Sequence, residues 1–318
     1  MPERFVTLFD SNFLPQGLAL RESLARHSPG SELWVICMDS RLEESLARLA
    51  LPGLVPIPLR ELEDERLLKA KANRSIREYC WTLTSFSFDA VFDRCPSADR
   101  VTYLDADLFF YRDPARIFAL FEASKAAVLV TEHGFDPEYD KSEIVGRFCV
   151  QFLCMDRSER ARELRSWWQE KVLEWCYDRR EPGRFGDQKY LDLWPALFGD
   201  RLFVLPRRDW ALAPWNVRME ARQARGELDP VFYHFHSFRL VRPRLARTVE
   251  GGYAIPRAAR RLYAEYLAAL GRGLGRMEAL GLETPTLPLP KRPLARLRHW
   301  VKLLLGRADL FAKVRIAS

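Results

Sequence analysis

Two aspartates that follow an apolar run are the residues of this sequence best suited to chemistry. Residues 100–114 read RVTYLDADLFFYRDP, so Asp105 and Asp107 stand directly behind the run. Such a run is typical of a strand buried on both faces, and ligands of open α/β sheets bind beyond the carboxyl ends of strands. Carboxylates two residues apart could bind a hard divalent cation there, which prefers oxygen ligands and often shares its coordination with substrate phosphates. The alternative is a solvated turn, in which aspartate is also common.

Two histidines occur late in the chain, in residues 231–239, which read VFYHFHSFR. Side chains alternate along a strand, so His234 and His236 would share one face. Because histidine is a frequent metal ligand, one of them could complete the coordination begun by Asp105 and Asp107. The alternative is a structural histidine held by hydrogen bonds, and the residues alone leave the two interpretations equal.

Two further segments combine polar and aromatic residues. Gly186 precedes Asp187 and Gln188 at the start of a predicted helix, and helix N-termini expose N–H groups that attract anionic or hydroxylated ligands. Asp187 could instead be a simple helix cap. Trp215 and Asn216 occupy a predicted loop, where the indole could stack on a sugar or a base, and packing in the core is the alternative.

The elements that must position these residues alternate along the chain. Extended segments are predicted at residues 5–9, 33–38, 54–59, 100–104, 126–131, 148–155, 201–206 and 230–236, and helices at 14–27, 41–49, 158–177 and 186–198. The strand over 148–155 is expected to run antiparallel, and residues 73–93 have mixed helical spacing. Alternating strands and helices predict an α/β layer fold.

Composition limits the classes of protein to which this chain can belong. Its 318 residues are 48% hydrophobic and 12% aromatic, enough for a substantial core, and its six cysteines include no C-x-x-C pair. Scattered cysteines without a signal-peptide pattern favour reduced thiols and a cytoplasmic location. No stretch approaches the roughly 18 apolar residues of a membrane-spanning helix. Residues 1–256 hold 37 basic and 39 acidic residues, which argues against nucleic acid as a partner of the body.

The last part of the chain differs from the body in charge. Residues 257–318 hold 13 basic and 4 acidic residues, and we predict a helical basic extension there, separate from a first domain over residues 1–256. Residues 257–280 are predicted to be helical, and residues 294–311 place an apolar stripe beside lysines and arginines. A basic amphipathic helix of this kind is typical of binding to an anionic membrane surface. Docking of that helix on the body is the equally weighted alternative.

The order of these motifs resembles nucleotide-sugar glycosyltransferases of the GT-A fold, in particular glycosyltransferase family 8 and related bacterial enzymes. The likeness rests on residues 103–107, on residues 186–188 and on the late histidine strand, in that order. Residues 5–10 (FVTLFD) resemble the family's opening nucleotide-binding strand, and residues 77–82 (REYCWT) resemble its helix near the base. The likeness covers roughly residues 4–243. It implies that the first domain is a GT-A catalytic domain, a Rossmann-like mixed sheet flanked by helices.

The resemblance also implies a set of metal ligands. Asp105 and Asp107 would hold Mn²⁺ or Mg²⁺ against the diphosphate of the donor. His236 would be the third ligand, because Arg-Pro at residues 242–243 then matches the family's Lys-Pro. His234 is the second choice.

For the donor and its sugar, the family implies two further groups. Asp187 and Gln188 would be catalytic, beside the donor sugar and the reacting carbon. Arg239 or Arg242 would replace a phosphate-binding lysine, an exchange that keeps the charge and alters the geometry. The residues implied to bind the donor are Thr7, Phe9, Asp10, Tyr79, Asp105, Trp215, Asn216, Arg239 and Arg242. Residues 149–151 read Cys-Val-Gln where the family often carries Asn and Gly, which leaves the identity of the donor sugar open.

The implied function is transfer of a sugar from a nucleotide-diphosphate sugar to an acceptor, with retention of anomeric configuration. A membrane-attached tail would favour a cell-surface glycan or a glycolipid precursor as acceptor, for example in lipopolysaccharide biosynthesis at the cytoplasmic face. Two alternatives stay open. One is a haloacid-dehalogenase-like phosphatase, which usually carries its Asp-x-Asp on the first strand, and the other is a non-catalytic carbohydrate-binding or membrane-docked protein. Donor hydrolysis with and without Mn²⁺ separates these functions.

Overall fold

Strands and helices alternate in the computed structural model of the chain, which describes residues 2–225, 227–249, 252–287 and 310–316. The strands are β1 (Arg4–Phe9), β2 (Glu32–Cys37), β3 (Leu54–Pro58), β4 (Arg100–Leu104), β5 (Leu108–Phe110), β6 (Val128–Glu132), β7 (Phe148–Asp156), β8 (Leu202–Val204), β9 (Ala211–Leu212), β10 (Phe232–His234), β11 (Arg239–Arg242), β12 (Leu245–Val249) and β13 (Leu310–Lys313). The α-helices are α1 (Leu14–His27), α2 (Ser40–Leu49), α3 (Glu65–Lys71), α4 (Ile76–Thr84), α5 (Ser87–Arg94), α6 (Ala115–Ser124), α7 (Ser142–Val145), α8 (Glu159–Glu174), α9 (Trp194–Phe198), α10 (Val217–Gln223) and α11 (Arg260–Ala279). This alternation confirms the predicted α/β class.

A seven-stranded mixed sheet runs through the centre in the order β3-β2-β1-β4-β7-β6-β8. β1 is parallel to both β2 and β4, whereas β7 is antiparallel to β4 and to β6. The predicted antiparallel direction of residues 148–155 is therefore confirmed. The apolar run of β4 is buried from Val101 to Leu104, because a sheet covered on both faces excludes solvent from its inner strands.

Helices cover both faces of this sheet and produce two hydrophobic cores. On one face α1 packs against α11, and Leu18 and Leu270 are buried in the same cluster as Phe5 of β1. On the other face Trp168 of α8 is buried together with Val6 of the same strand. Neighbouring residues of a strand face opposite sides of a sheet, so Phe5 and Val6 belong to different cores.

The C-terminal part of the chain is joined to the body at two places. Along α11, Gly273 allows close approach to α1, since a Cβ on this glycine would lie 3.3 Å from the Cβ of Leu18. Further on, β13 pairs antiparallel with β12, and Lys313 lies opposite Leu245. α11, which the charge pattern places in a separate extension, therefore shares the hydrophobic core of the body.

The predicted amphipathic helix over residues 294–311 lies mainly outside the described residues. Its last two residues belong to β13, so the helix prediction is wrong at that end. The cause is tertiary, because the edge of β12 offers backbone N–H and C=O groups that a further strand can pair. None of the helices in the described part of the chain has the length and apolar content needed to cross a bilayer.

A second sheet, with strand order β5-β10-β9, brings the two candidate ligand segments together. β5 begins directly after Asp107 and pairs antiparallel with β10, so that His234 lies opposite Leu108. The Phe152 ring of β7 stacks on Phe232 of β10, with centroids 5.2 Å apart and 5° between the ring planes. The pairing of β10 with β5 and this ring stacking place His234 beside the end of β4.

Candidate active site

A cavity of about 410 Å³ opens at the carboxyl end of β4. Its lining includes both aspartates of the Asp-x-Asp motif and both histidines of residues 231–239. Asp187, Gln188 and Trp215 also line it. The structure therefore brings together residues that are separated by more than a hundred positions in the sequence.

Three of these side chains converge on one point. Asp105 and Asp107 follow β4, and His234 ends β10. The Nε2 atom of His234 lies 3.0 Å from Oδ1 of Asp107 and 3.7 Å from Oδ2 of Asp105. Tyr103 donates its hydroxyl hydrogen to Oδ1 of Asp105 at 3.2 Å. The strand end and this hydrogen bond fix the direction in which the Asp105 carboxylate points.

This set of side chains fits a divalent cation. One ligand atom from each of Asp105, Asp107 and His234 lies within 4.8 Å of the other two. No other group of potential metal ligands within the described residues has this arrangement. Carboxylate oxygens suit Mn²⁺ and Mg²⁺, and an imidazole nitrogen suits first-row transition metals. Three protein ligands beside an open cavity leave coordination positions for substrate oxygens.

His236, the third ligand preferred by the sequence analysis, lies outside this group. β10 ends at His234, and the chain turns at Ser237, whose φ of 64° is in the left-handed region. His236 therefore lies beyond the paired part of the strand and is exposed. Both histidines line the cavity, but His236 lies against Trp215 with ring centroids 5.4 Å apart. The geometry favours His234, the second choice, over His236.

The three groups are strongly coupled by charge. Burial raises the pKa of Asp105 to about 6. Burial also acts to raise the pKa of Asp107, but the adjacent His234 outweighs it and lowers that pKa below the ordinary value. For His234 burial disfavours the charged form, yet the two carboxylates raise its pKa well above normal. The imidazole and the two carboxylates therefore stabilise each other's charged forms.

Asp187 presents a buried carboxyl to the same cavity. Gly186 has a φ of 53°, and a 3₁₀ helix over Gln188–Leu193 follows, ahead of α9, where one longer helix was predicted. The Asp187 side chain makes no capping hydrogen bond. It is 2% exposed, its Oδ2 atom has no hydrogen-bond partner in the described part of the chain, and burial raises its pKa to about 7. Since a buried polar atom without a partner is costly, a ligand in the cavity would stabilise it.

A set of rings that we call the aromatic wall lines another part of the cavity and consists of His133, Phe135, Trp215 and His236. His133 stacks on Phe135 with centroids 4.6 Å apart, and Trp215 meets His133 edge-on at 5.3 Å. The Trp215 indole donates to the His133 carbonyl at 2.7 Å, and the Asn216 amide donates to it at 3.1 Å. Asn216 is 1% exposed, so it supports the aromatic wall from behind.

The sequence analysis missed His133, Phe135 and Gln151 as site residues. His133 follows β6 and is 4% exposed, and its Nδ1 atom has no hydrogen-bond partner among the described residues. Burial lowers its pKa to about 3, so the ring is neutral. Gln151 is fully buried in β7 and contacts His234. A single histidine after a strand, or a glutamine within one, carries no signal in the sequence that would mark it.

Of the residues predicted to bind the donor, Asp105 and Trp215 line the cavity. Thr7, Phe9 and Tyr79 are 0%, 4% and 2% exposed and are not part of its lining. Two of these three lie on β1, which pairs with β4, and the third lies on α4, which packs against β1.

Asp10, Arg239 and Arg242 also stand apart from the cavity lining. Asp10 caps a short 3₁₀ helix by accepting a hydrogen bond from the Asn12 N–H at 3.0 Å. The two arginines are the first and last residues of β11, and Arg242 is exposed. Their assignment to the donor, with that of Thr7, Phe9 and Tyr79, stays a prediction.

A relative in Bacillus subtilis reveals the family of this chain. No protein-family model matches this chain. The uncharacterized protein YfnF of strain 168 is 31% identical over 255 residues, which cover 76% of this chain and 83% of YfnF. The chain belongs to the YfnF family.

Two solved glycosyltransferase structures share the fold of this YfnF-family chain. The bifunctional glycosyltransferase WbbM matches with a TM-score of 0.54 and 15% identity, over 87% of this chain and 51% of WbbM. The glycosyltransferase GlyE of Streptococcus pneumoniae TIGR4 matches with a TM-score of 0.50 and 17% identity, over 90% of this chain and 66% of GlyE. The predicted GT-A fold is therefore confirmed, although these matches do not single out family 8.

Proposed function

We propose that this chain is a divalent-cation-dependent glycosyltransferase, which moves a sugar from a nucleotide-diphosphate sugar to an acceptor hydroxyl. One observation carries the proposal: Asp105, Asp107 and His234 converge within 4.8 Å at the strand ends of a GT-A fold. Neighbouring half-buried carboxylates repel each other, and a site for a cation and an anionic diphosphate accounts for their presence. The likeness in fold to WbbM and GlyE supports the same chemistry.

The three converging residues would bind the donor through its diphosphate. Asp105 and Asp107 would hold Mn²⁺ or Mg²⁺ through carboxylate oxygens, and His234 would add its Nε2 atom. A bound cation would supply Lewis acidity toward the departing diphosphate. Because Tyr103 already fixes the Asp105 carboxylate, this group needs little reorganisation when the donor binds.

Asp187 and Gln188 would act on the sugar. Burial raises the pKa of Asp187 to about 7, so near neutral pH its carboxyl can exchange a proton or accept hydrogen bonds from sugar hydroxyls. Gln188 follows it in the cavity lining and would offer an uncharged amide beside the reacting carbon. Retention of configuration is part of the proposal and rests on the resemblance to family 8. Asp187→Ala is expected to lower turnover and to spare nucleoside diphosphate binding, since the residue would contact the sugar alone.

We further propose that the acceptor is a cell-surface glycan or a glycolipid precursor, met at the inner face of the cell membrane. The sheet β11-β12-β13 supports this, because residues 239–249 and 310–316 hold six basic residues and no acidic one. Arg244 and Lys313 are exposed there. Acidic lipid head groups attract such charges by about 1 kcal/mol each, and salt screens the attraction. Binding to phosphatidylglycerol vesicles only at low salt would support the proposal, and equal binding to neutral vesicles would contradict it.

A panel of nucleotide sugars tests the activity. The protein is incubated with each donor in Mn²⁺ or in EDTA, and the released nucleoside diphosphate is measured by mass spectrometry. We expect release that requires Mn²⁺ for at least one donor. Asp107→Asn should lose it, whereas Asp200→Asn, which changes an aspartate with an 89% exposed side chain, should retain it.

The same assay separates the alternative functions. A phosphatase of the haloacid dehalogenase type would release inorganic phosphate from phosphomonoesters, and a carbohydrate-binding protein would release nothing. The haloacid dehalogenase motif usually follows a first strand, whereas here it follows β4, which argues against that class. Undiminished release in EDTA would contradict cation dependence.

A further inference from the structure

Gln151 contacts two of the three candidate metal ligands. It lies in β7, is fully buried, and accepts a hydrogen bond at its Oε1 atom from Nδ1 of His234 at 2.7 Å. Its backbone carbonyl accepts a hydrogen bond from the Asp105 N–H at 3.0 Å. One residue behind the cavity therefore connects the end of β4 with the end of β10.

The contact with His234 decides which imidazole nitrogen carries the proton. A neutral imidazole has one N–H and one lone pair, whereas the oxygen of an amide only accepts hydrogen bonds. A histidine that binds a metal must be neutral, and in that form the Gln151 oxygen keeps the proton on Nδ1 and leaves the lone pair on Nε2. That Nε2 atom is the one that faces Asp107, at 3.0 Å.

The Gln151 amide is held in this orientation by its surroundings. Its Nε2 group donates to Oγ1 of Thr131 on β6 at 3.5 Å, so its oxygen is directed toward His234. The next residue, Phe152, stacks on Phe232 of β10 at 5.2 Å. β7 and β10 are thus packed against each other, and the distance between the amide and the imidazole is fixed by the core.

We propose that Gln151 is a positioning residue, which fixes the tautomer and the orientation of His234 for binding a divalent cation. This inference rests on the proposed function. The family that the sequence resembles often carries Asn and Gly in this stretch, where residues 149–151 read Cys-Val-Gln. Glycine has no side chain that could accept a hydrogen bond from the imidazole, so this contact depends on the glutamine that the present sequence carries at position 151.

Metal binding by the full chain tests the proposal without any sugar donor. Free Mn²⁺ is titrated by electron paramagnetic resonance into the wild-type protein and into two variants. Gln151→Leu keeps similar volume and removes the acceptor, and we expect Mn²⁺ affinity to fall roughly 10–100-fold, as for other groups that orient metal ligands. Gln151→Glu restores an acceptor for the Nδ1 hydrogen, and we expect it to retain Mn²⁺ affinity, because carboxylates are common partners of metal-binding histidines.

Thr102→Val is the matched control, since it removes a buried hydroxyl from the neighbouring strand β4 that has no hydrogen-bond partner in the described residues. It should leave Mn²⁺ affinity unchanged. Thermal unfolding without metal checks that each variant folds, and Gln151→Met replaces the leucine variant if that one does not. Wild-type affinity in the folded leucine or methionine variant would overturn the proposal, as would equal losses in the leucine and glutamate variants.

Failure of the positioning role of Gln151 can be distinguished from failure of the proposed glycosyl transfer. If no donor is hydrolysed but Mn²⁺ binding still depends on Gln151, the positioning role stands and glycosyl transfer does not. If the wild-type protein binds no divalent cation, both are overturned.

Discussion

The two parts of the cavity differ in what holds them together. Where Asp105, Asp107 and His234 meet, buried charges face each other, and the pKa values of all three are shifted. In the aromatic wall, Trp215 and His133 are fixed by ring packing and by a backbone hydrogen bond at 2.7 Å. The charged cluster therefore needs a ligand for full compensation, whereas the aromatic wall is held mainly by its own packing.

This difference indicates a division of labour within the site. Charge attracts a cation and a diphosphate over a distance, while flat rings match the apolar faces of a sugar at contact. We therefore expect mutations in the charged cluster to abolish chemistry and mutations in the aromatic wall to weaken binding only. The following experiments test that expectation, beginning with the largest effect.

Asp107→Asn should lower donor hydrolysis about a thousand-fold, since a catalytic cation contributes several kcal/mol and each 1.4 kcal/mol is about tenfold in rate. The amide keeps the shape of the carboxylate but not its charge, so the fold should persist. Steady-state rates of nucleoside diphosphate release with saturating Mn²⁺ measure the effect. An activity near that of wild type would show that the cluster is structural.

His234→Ala should weaken Mn²⁺ binding roughly 10–100-fold, an effect of the size seen for metal-site support. His236→Ala should do less, because His236 lies in the aromatic wall and outside the ligand group. Calorimetric titration of the two variants side by side measures the ranking. The reverse ranking would restore His236 as the third ligand and move His234 to a structural role.

Asp187→Asn should flatten the pH dependence of stability in metal-free protein. Burial raises the pKa of Asp187 from 3.8 to about 7, so the folded state binds a proton that the unfolded state has lost between these values. The contribution of this group to the free energy of unfolding should therefore fall as pH rises from about 4 to about 7. Urea unfolding at pH 5, 6, 7 and 8 compares the variant with wild type. Parallel curves would show that Asp187 is not protonated in the folded protein.

Phe135→Ala should have the smallest effect on catalysis. Loss of one ring contact is worth about 1 kcal/mol, so the KM for one of the two substrates should rise several-fold. Mn²⁺ affinity should not change, because the ring contacts His133 and Trp215 instead of the carboxylates. Separate KM values for donor and acceptor show which sugar the aromatic wall binds. A loss of Mn²⁺ binding in this variant would show that the charged cluster and the aromatic wall do not act independently.

Local patterns in the sequence determined several features of this protein. The apolar run before Asp105 predicted a buried strand with carboxylates at its end, because burial on both faces favours apolar side chains within the strand. The alternation of strands and helices predicted the α/β class, whereas the antiparallel direction expected for β7 is fixed by its pairing with β4 and β6. The buried strand and the α/β class depend on residues close together in the chain.

Tertiary structure alone decided the rest. Whether His234 or His236 meets the aspartates depends on where β10 stops pairing with β5, which is set by a strand more than a hundred residues away. The contact of Gln151 with His234 depends on the packing of β7 against β10. In the same way the end of the chain forms β13 because β12 offers an edge. Side-chain alternation gives a face within one strand, but only the pairing of distant strands brings two such faces to one point.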